Sequence, residues 1–488
     1  MLDATSRHED IQNNPQAVEI LAALQREFGV EDDNSDELSY ACEGLYTRFQ
    51  GISGLPLRDS FHLGQTLAND YGRPYQTGFN TLAGAAGSVE FGRFSLYARG
   101  EYQRAPSAVG YSPALVATLS NIDTPYSTSH PILLTTLPAG PIATTNDFRI
   151  LEANLSYRIL DHEISFGKSD HWMAPTVGGA FLYSNNAENT YAFQIDRTEP
   201  LYIPLLSRLT GPFRYDFFVG SLKGHSDPND PWLHTEKISF KPTPNVEMGF
   251  SRSTIWGGKG HVPITVHSFL KSFFSFQNVP VAEKNSREDP GARFGTFDFS
   301  WRLPFLSRRL TLYSDSLVHD DVSPVDAPRH AAVRPGLYLS QVPGIPRFDV
   351  RVEGVSTDPY SSHTVAPGGY LYWENVQVQG YTNKGVILGD ATGRQGKGGQ
   401  AWLTYHLSPR EMVQASYRNT KVDRYFIPSG TTQNSFDVHV VKRFHESIEL
   451  SAEVQHEWWK APIYQPGQQS DTVATFQFTL YPERNIVP

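Results

Sequence analysis

The chain has 488 residues and a formal net charge of −10, and its 12% aromatic content includes 24 Tyr and 29 Phe. Charged residues make up only 19%, which excludes the Ala/Leu/Lys/Glu mixture of helical proteins and favours strands. The acidic balance, with no clustered basic run, excludes the electrostatic footprint of a nucleic-acid-binding protein. The single cysteine, Cys42, excludes an intrachain disulfide and a cysteine-based zinc site.

The first 72 residues carry the signals of three short amphipathic helices. Each begins with a residue type that caps helices and ends before a glycine. The expected helices run from Asn14 to Gly29, from Ser35 or Asp36 to Gly51 with apolar Leu38, Leu45 and Phe49, and from Asp59 or Ser60 to Gly72 with apolar Leu63 and Leu67. We therefore predict a small helical bundle over residues 1–86 that plugs or caps the domain after it. An independent helical domain is the alternative.

Beyond this region the dominant pattern has a period of two residues, as in strands with one dry and one wet face. The segment Ser447–Trp458 shows the pattern over its whole length. Its apolar residues Ile448, Leu450, Ala452, Val454 and Trp458 share one parity, and Glu449, Ser451, Glu453, Gln455 and Glu457 share the other, with His456 as the exception. Many two-faced strands with charges on a single face are typical of a transmembrane β-barrel.

The fold prediction is an all-β protein in which residues 87–488 form an antiparallel outer-membrane barrel of about 18 strands. No run approaches the ~18 consecutive apolar residues of a membrane-spanning helix. A soluble β-sandwich or a propeller also alternates, and both stay open on the pattern alone. Pro-, Gly- and polar-rich tracts predict long loops, which usually carry function, at residues 105–146, 221–232, 257–290 and 354–369.

The beginning of the chain, Met1 to Asp10, lacks the basic and apolar regions of a secretory signal. Either the numbering describes a mature or truncated exported product, which we expect, or the protein is cytosolic and the barrel prediction fails. The strand pattern favours export, because few other architectures account for so many two-faced strands.

Short motifs indicate no nucleotide-binding, metal or catalytic site. The stretches Gly257–Gly260 and Gly396–Gly399 hold a lysine among glycines, but neither has the Ser or Thr and the following helix of a phosphate loop. Glu449 and Glu453 on one strand lie ~13 Å apart, too far for the acid/base pair of a glycosidase. We therefore expect no enzymatic activity, no metal and no cofactor.

Three stretches of the chain resemble a known family. In the first, a strand ends in Gly167-Lys168, and the chain continues through His171-Trp172 and Pro175 to the sequence Leu182-Tyr183-Ser184-Asn185-Asn186-Ala187. The others are Phe240-Lys241-Pro242 followed by Val246 to Gly258 with Arg252 and Trp256, and Tyr381 to Asp390 with Asn383, Gly385 and Gly389. Together they resemble the Wzi-like capsule assembly proteins.

This resemblance implies an outer-membrane barrel of about eighteen strands with a small periplasmic helical bundle. It also implies a role in attaching capsular polysaccharide to the cell surface. We therefore expect a non-enzymatic monomer of the bacterial outer membrane. Its expected partners are surface or capsular polysaccharide and membrane lipid, without nucleic acid.

Sugar-binding residues need aromatic platforms for ring faces and amide, imidazole or guanidinium groups for hydroxyls. The candidates in the matching stretches are His171, Trp172, Asn185, Asn186, Arg252, Trp256 and Tyr381. Packing in turns and in the barrel wall is the alternative role for each of them.

Two other functions remain open. A porin-like solute channel shares every strand with the polysaccharide-binding barrel and differs only in whether the lumen is open. A soluble, β-rich glycan-processing enzyme predicts protein that stays in solution without detergent. In either barrel, Glu449, Glu453 and Glu457 line the lumen, and the opposite face of their strand contacts lipid.

Overall fold

The computed structural model describes residues 38–123, 136–137, 139–275, 279–284, 286–320, 330–361, 363–445 and 447–482. Its main element is one sheet of 18 antiparallel strands. The strands, in chain order, are β1 (Leu38–Gly54), β2 (Gly78–Phe91), β3 (Phe94–Ala105), β4 (Thr145–Ile159), β5 (His162–Lys168), β6 (Tyr191–Arg197), β7 (Phe213–Ser221), β8 (Trp232–Thr243), β9 (Val246–Trp256), β10 (Ala292–Arg302), β11 (Leu310–His319), β12 (Ala332–Leu339), β13 (Phe348–Ser356), β14 (Gly396–Ser408), β15 (Glu411–Val422), β16 (Thr431–Phe444), β17 (Ile448–Ala461) and β18 (Gln465–Leu480).

The sheet closes into a barrel through its first strand. On one side of β1, Gly51 lies opposite Phe79 of β2, and on the other side it lies opposite Ala474 of β18. Closure gives the backbone groups of the first and last strands hydrogen-bond partners, so the sheet has no open edge. The prediction of an antiparallel barrel of about 18 strands is confirmed.

Connections alternate between two rims, which we call the short-turn rim and the long-loop rim. The turns Gly92–Arg93 and Ser408–Glu411 are typical of the first rim, whereas β13 and β14 are joined across the second by residues 357–395. The predicted loops at 105–146, 221–232 and 257–290 are confirmed, and the fourth, predicted at 354–369, continues to residue 395.

The helices are short and lie in these connections: α1 (Pro113–Asp123), α2 (Leu206–Thr210), α3 (Val266–Phe274) and the 3-10 turns Val281–Glu283 and Leu306–Arg308. Paired two- to four-residue strands occur at Arg58–Asp59 with Gly64–Gln65, Ala108–Tyr111 with Gly140–Ile142, and Thr382–Asn383 with Val386–Ile387. Within the described ranges, no helix has the length and apolar character needed to span a membrane.

In strand β17, residues of one parity face the lumen and residues of the other parity face the outside of the barrel. Val454 and His456 are exposed on its outer face, and Val454 retains 53% of its accessible surface. On the inner face, Glu449 and Glu453 line a lumenal cavity and Glu457 is fully buried. The predicted lumenal position of these three glutamates is confirmed.

The second predicted helix is wrong, because residues 38–54 form strand β1. A β-bulge between Cys42 and Gly44 adds one residue to the strand and reverses its parity. Leu38 and Leu45 therefore both point outward although they are an odd number of residues apart, and Phe49 follows on the same face. A bulged strand thus imitates the apolar spacing of a helix.

The third predicted helix is also wrong. Asp59 does cap a turn, since its Oδ1 accepts the backbone N–H groups of Phe61 and His62 at 3.0 and 3.1 Å. The chain then reverses at Gly64, which has a φ of 126°, and Gly64–Gln65 pairs with Arg58–Asp59 instead of continuing a helix.

The first predicted helix, at residues 14–29, lies outside the described residues and stays a prediction. The predicted domain boundary at residues 86 and 87 falls inside β2, and β1 precedes it. The barrel therefore takes in residues that the sequence pattern assigned to the helical bundle.

Three long loops fold back into the barrel, and we call residues 55–77, 169–190 and 357–395 the plug. Their fully buried aromatic side chains form the main hydrophobic core with inward-facing residues of the wall. Tyr183 packs edge-on against Phe218 of β7, and Tyr381 lies 4.5 Å from Phe294 of β10 between ring centroids. The core of this protein is thus inside the barrel, between plug and wall.

Buried charges of the wall find their partners in the plug. Glu353 of β13 accepts the backbone N–H groups of Val177 and Gly178 at 2.8 and 3.0 Å. Arg334 of β12 donates to Glu353 at 3.1 Å and to both carboxylate oxygens of Asp390, at 2.6 and 2.9 Å. A Cβ at Gly178 would lie 2.7 Å from the Arg334 guanidinium, so this close approach requires glycine.

A second buried network joins the plug to α1. His62 lies between two carboxylates, with its Nδ1 2.9 Å from Asp59 and its Nε2 2.7 Å from Asp123 of α1. Asp123 also pairs with Arg394, whose guanidinium lies over the Phe61 ring. Burial opposes protonation of the imidazole, but the two carboxylates outweigh it and raise the pKa of His62 to about 9.

We predict that Arg334→Met releases the third plug loop. The substitution leaves Glu353 and Asp390 buried without their counterion, which costs about 3–5 kcal/mol. Hydrogen exchange of backbone amides around residue 390 should therefore accelerate. The control Arg158→Met removes an arginine that is 62% exposed and lies 3.8 Å from Glu163, and it should leave exchange unchanged.

We predict that the attachment of the plug to α1 weakens in alkali. The pKa of His62 is raised in the folded state, so the stabilisation is complete below the unfolded pKa of about 6.5 and is lost as pH rises through 9. The shift corresponds to on the order of 3 kcal/mol. Hydrogen exchange of α1 amides, corrected for intrinsic pH dependence, should lose protection over this window. His62→Gln should abolish the effect, and an unchanged pH profile in that variant would contradict the assignment.

Candidate ligand-binding groove

A groove of about 440 Å³ opens on the outer side of the barrel at the long-loop rim. We call it the basic groove. It lies where β14, β15, β16 and β17 end, and the turn 423–430 forms part of its wall. Its charged lining residues are Asp358, Lys397, Lys421, Asp423, Arg424 and Lys460.

Three lysines of the groove lie in one row across neighbouring strands. Lys397 is opposite Lys421, Lys421 is opposite Thr432, and Thr432 is opposite Lys460. All three lysines are exposed and share the outward parity of their strands. Residues directly opposite each other have Cβ atoms about 4.5–5.5 Å apart, and like charges there are destabilising.

The positive charge of this row is only partly balanced. Lys397 pairs with Asp358 at 2.7 Å. In the part of the chain that the structure describes, no carboxylate lies within 4.0 Å of Lys421, Arg424 or Lys460. An anionic ligand in the groove would remove the repulsion along the row, which makes the groove a candidate anion site.

The acidic residues of the groove form a charge network with a histidine. The Nδ1 of His363 lies 2.8 Å from Asp358, and its Nε2 lies 3.7 Å from Asp423. These three side chains have ligand atoms within 4.8 Å of one another, the spacing of a cation site. The Lys397 ammonium already neutralises Asp358, so the arrangement fits an internal ion-pair network.

The turn 423–430 packs against the plug. Asp423 accepts the backbone N–H of Tyr425 at 2.7 Å, and its carbonyl accepts that of Ile427 at 3.0 Å. Beneath it, the Phe426 ring lies against the His62 ring and under the Arg394 guanidinium, at 6.4 and 4.6 Å. The buried network of His62 therefore also positions this wall of the groove.

Two exposed tyrosines are close in sequence to lining residues of the basic groove. Tyr360, in the loop that carries Asp358, is 98% exposed, and Tyr425 is 51% exposed beside Arg424. Aromatic faces next to cationic donors are the combination that holds sugar rings bearing acidic groups.

A second cavity, of about 470 Å³, lies inside the barrel toward the short-turn rim. Its wall is polar and includes Glu449 and Glu453 of β17, and plug residues Leu67 to Asp70 and Val177 to Gly178 border it. The plug therefore separates this lumenal cavity from the long-loop rim among the described residues.

Five of the seven predicted site residues lie in the plug. His171 is buried with its ring stacked on Phe218 at 4.3 Å, and burial lowers the pKa of this imidazole to about 4. The Trp172 indole donates to the Thr176 carbonyl at 2.7 Å, and the Tyr381 hydroxyl donates to the Ser253 hydroxyl at 3.0 Å.

The paired asparagines join their own plug loop to the other two. The Asn186 amide donates to the Ile387 carbonyl at 3.1 Å and accepts the Asn69 backbone N–H at 3.2 Å. The Asn185 amide donates to the Tyr71 hydroxyl at 3.1 Å. The bonds of these two side chains go to the protein's own chain, so the motif Ser-Asn-Asn-Ala shapes the plug.

The other two predicted site residues, Arg252 and Trp256, point outward from β9. Phe250, of the same parity, is 52% exposed, whereas Ser253 of the opposite parity contacts Tyr381 inside the barrel. Arg252 donates to the carbonyls of Ser272 and Ser275 at the end of α3. The structure thus separates the seven candidates between plug and outer wall and brings none of them into the basic groove.

Sequence reasoning missed the groove residues. Lys397 lies in a Gly-Lys-Gly-Gly stretch that the sequence pattern excludes only as a phosphate loop. The available signal was a lysine of outward parity near the end of three strands, at Lys397, Lys421 and Lys460. Each lysine alone is unremarkable, and only the strand register aligns them.

Comparison with known proteins agrees with this architecture. The family model described as capsule assembly protein Wzi matches residues 48–474. A Klebsiella pneumoniae protein, described as an uncharacterized 55.8 kDa protein in the cps region, is 24% identical over 160 residues. That match covers 32% of this chain and 31% of the relative, so it spans about a third of that protein's length.

Among solved structures, Wzi of Escherichia coli is described as an outer membrane protein involved in group 1 capsule assembly and a carbohydrate-binding β-barrel. It is 15% identical, has a TM-score of 0.66, and the match covers 96% of this chain and 88% of that one, which shows a shared fold. OccK5 (OpdH) of Pseudomonas aeruginosa is 9% identical with a TM-score of 0.45, and the match covers 91% of this chain and 98% of that one. Because the family model spans most of its length, this chain belongs to the Wzi family of capsule assembly proteins.

Proposed function

We propose that this protein is a non-enzymatic barrel of the bacterial outer membrane that binds capsular polysaccharide and helps to retain it at the cell surface. The single observation that carries the proposal is the basic groove at the long-loop rim, in a chain whose net charge is −10. Family membership and the carbohydrate-binding description of the Escherichia coli structure support it.

The outer face of the barrel supports a membrane location. Large apolar side chains stand exposed on strands all around the wall, including Phe79, Phe148, Phe250, Leu403 and Val454. Such a band would be costly in water, and a closed sheet satisfies every backbone group that lipid cannot. Outer-membrane barrels have short periplasmic turns and longer extracellular loops, so the long-loop rim faces outside the cell.

The groove favours an acidic polymer. It presents four cationic side chains, of Lys397, Lys421, Arg424 and Lys460, against two carboxylates. Carboxylate- or phosphate-bearing sugars can bridge neighbouring lysines while their rings contact the exposed Tyr425 beside Arg424. Because the groove opens to the cell exterior, a long polymer can pass through it without threading the barrel.

The plug argues against the porin-like alternative. Residues 55–77, 169–190 and 357–395 fill the long-loop half of the lumen with a packed core. Planar-bilayer recordings should therefore show no large steady current, and such a current would favour the channel.

Incubation with polysaccharide should release no reducing sugar, and release would favour the glycan-processing alternative.

We predict that the double substitution Lys421→Gln and Lys460→Gln weakens binding of purified acidic capsular polysaccharide at least about tenfold, because each charge-assisted contact contributes ~1.5–3 kcal/mol. Surface plasmon resonance on nanodisc-embedded protein measures the effect. Added salt should weaken binding to the unaltered protein, since exposed charges are screened.

The matched control for the groove is Lys442→Gln. Lys442 is an exposed lysine of β16 near the short-turn rim, where it pairs with Glu411 at 2.7 Å. This variant should bind as the unaltered protein does, and neutral dextran should bind to neither. Equal loss in the control variant, or an unaffected groove variant, would contradict a ligand site at the groove.

Cells carrying the groove variant should release more capsule into the medium.

We predict that the outward face of β17 contacts lipid. Val454→Arg, near the middle of the strand, should destabilise the barrel in vesicles by about 2–4 kcal/mol, because arginine on the lipid face is costly at the bilayer midplane. Ser451→Arg, which points into the lumenal cavity, should cost much less. Urea unfolding in lipid vesicles measures both, and equal costs would argue against lipid at this face.

A further inference from the structure

The helix α3 lies against the outer face of the barrel wall. Its Phe273 ring is 5.9 Å from Phe217 of β7, and its Phe269 ring is 5.7 Å from Trp256 of β9. Phe217 and Trp256 both point outward from their strands. Their chain neighbours Phe218 and Ile255 have the opposite parity and pack into the core inside the barrel. The loop that carries α3 therefore turns over the rim and descends along the wall.

Polar residues on this part of the wall explain why a helix covers it. His234, Glu236 and Arg252 all have outward parity, the same as the exposed Ile238 and Phe250. Strand β9 has 11 residues, and about 9–11 tilted residues cross the hydrocarbon layer, so the proposed membrane location places Arg252 within the height of that layer. An arginine left facing lipid there would cost about 2–4 kcal/mol.

The helix gives these wall residues their partners. Arg252 donates to the carbonyls of Ser272 and Ser275 at 3.0 and 2.9 Å, and Arg293 of β10 donates to Ser275 at 3.3 Å. Two guanidinium groups at the C-terminal end of a helix also complement its dipole. His234 lies 3.1 Å from the Ser272 hydroxyl. The helix thus replaces lipid as the neighbour of the charged patch.

The remaining sides of α3 differ sharply in polarity. Val266, Leu270 and Phe274, spaced four residues apart, form an exposed stripe that flanks the wall-contacting side, with exposures of 76, 46 and 62%. On another side, His267 and Lys271 both pair with Glu288. A helix with a wall side, an apolar side and a charged side suits a position at the edge of a bilayer.

We propose that α3 is embedded in the outer leaflet, where Val266, Leu270 and Phe274 contact the acyl chains of the lipid. This inference rests on the outer-membrane location proposed above. The apolar stripe lies on the outer side of the wall, as do the exposed Ile238 and Phe250 of the strands that α3 covers. The helix widens the wall, covers its charged patch and presents a new apolar surface in its place.

The test uses spin labels on the full chain in lipid vesicles. In a Cys42→Ser background, single labels are placed at Leu270→Cys and Phe274→Cys, with Val454→Cys as a barrel-wall reference and Tyr360→Cys as a water-exposed reference. Electron paramagnetic resonance then compares collisions with oxygen, which concentrates in lipid, and with a water-soluble nickel chelate. Both helix positions should resemble Val454→Cys.

The references separate the possible failures. If Val454→Cys itself is accessible to nickel, the proposed membrane location fails. If Val454→Cys is in lipid while Leu270→Cys and Phe274→Cys resemble Tyr360→Cys, α3 is not embedded and the inference is overturned. Protection from both agents in native outer membranes, but not in vesicles, would mean that a protein partner covers the stripe, which also overturns it.

A second variant tests the attachment of the helix to the wall. Arg252→Met removes the donor to Ser272 and Ser275 but leaves an apolar side chain that lipid tolerates. The label at Phe274→Cys should become more mobile in this background while its preference for oxygen over nickel persists. The matched variant Arg410→Met, in a turn of the short-turn rim, should leave the label unchanged. Unchanged mobility after Arg252→Met would contradict the role of Arg252 in holding α3.

Discussion

The fully buried carboxylate of Glu353 needs compensation inside the barrel, and the structure of this protein depends on how such inward charges are satisfied. Backbone N–H groups of Val177 and Gly178 and the guanidinium of Arg334 provide it. An inward-facing charge of a wide barrel can be solvated by water or paired with protein groups. In this barrel the plug loops supply the hydrogen-bond and ion-pair partners. The loops are therefore held in the lumen by the wall's own charges as well as by apolar packing.

Because the plug fills the long-loop half of the lumen, a large ligand can contact the protein only on its outer surfaces. Plug residues His62 and Arg394 pack against Phe426, so the turn 423–430 that forms part of the groove wall is supported from inside the barrel without a ligand. Preorganisation limits the entropy lost on binding, which matters for sugars because each of their contacts is weak. The same residues that close the lumen thus shape the outside, and Asn186 and Tyr381 contribute through the plug they stabilise.

The outer face of the wall is mainly apolar, in contrast to the charged inner face. Where Glu236 and Arg252 interrupt the apolar band, α3 covers them. The barrel therefore handles charges in two ways, by loops on the inside and by a helix on the outside. Arg252 and Trp256 looked like sugar-contacting residues because their chemistry is shared with wall-to-helix contacts. Only the side of the strand on which they lie distinguishes the two roles.

The sequence by itself determined the two-faced strands, most long loops and the inside and outside of β17, because parity is a local property of a strand. It favoured a barrel of about 18 strands over a soluble sandwich or a propeller, which the same alternation also fits. It misassigned residues 38–54, since a bulge between Cys42 and Gly44 made strand spacing look helical. Only the tertiary structure decided which loops enter the lumen, where the candidate residues point and that Lys397, Lys421 and Lys460 form one row. The physical reason is that strand register and loop packing join residues far apart in the chain, and no local pattern records those contacts.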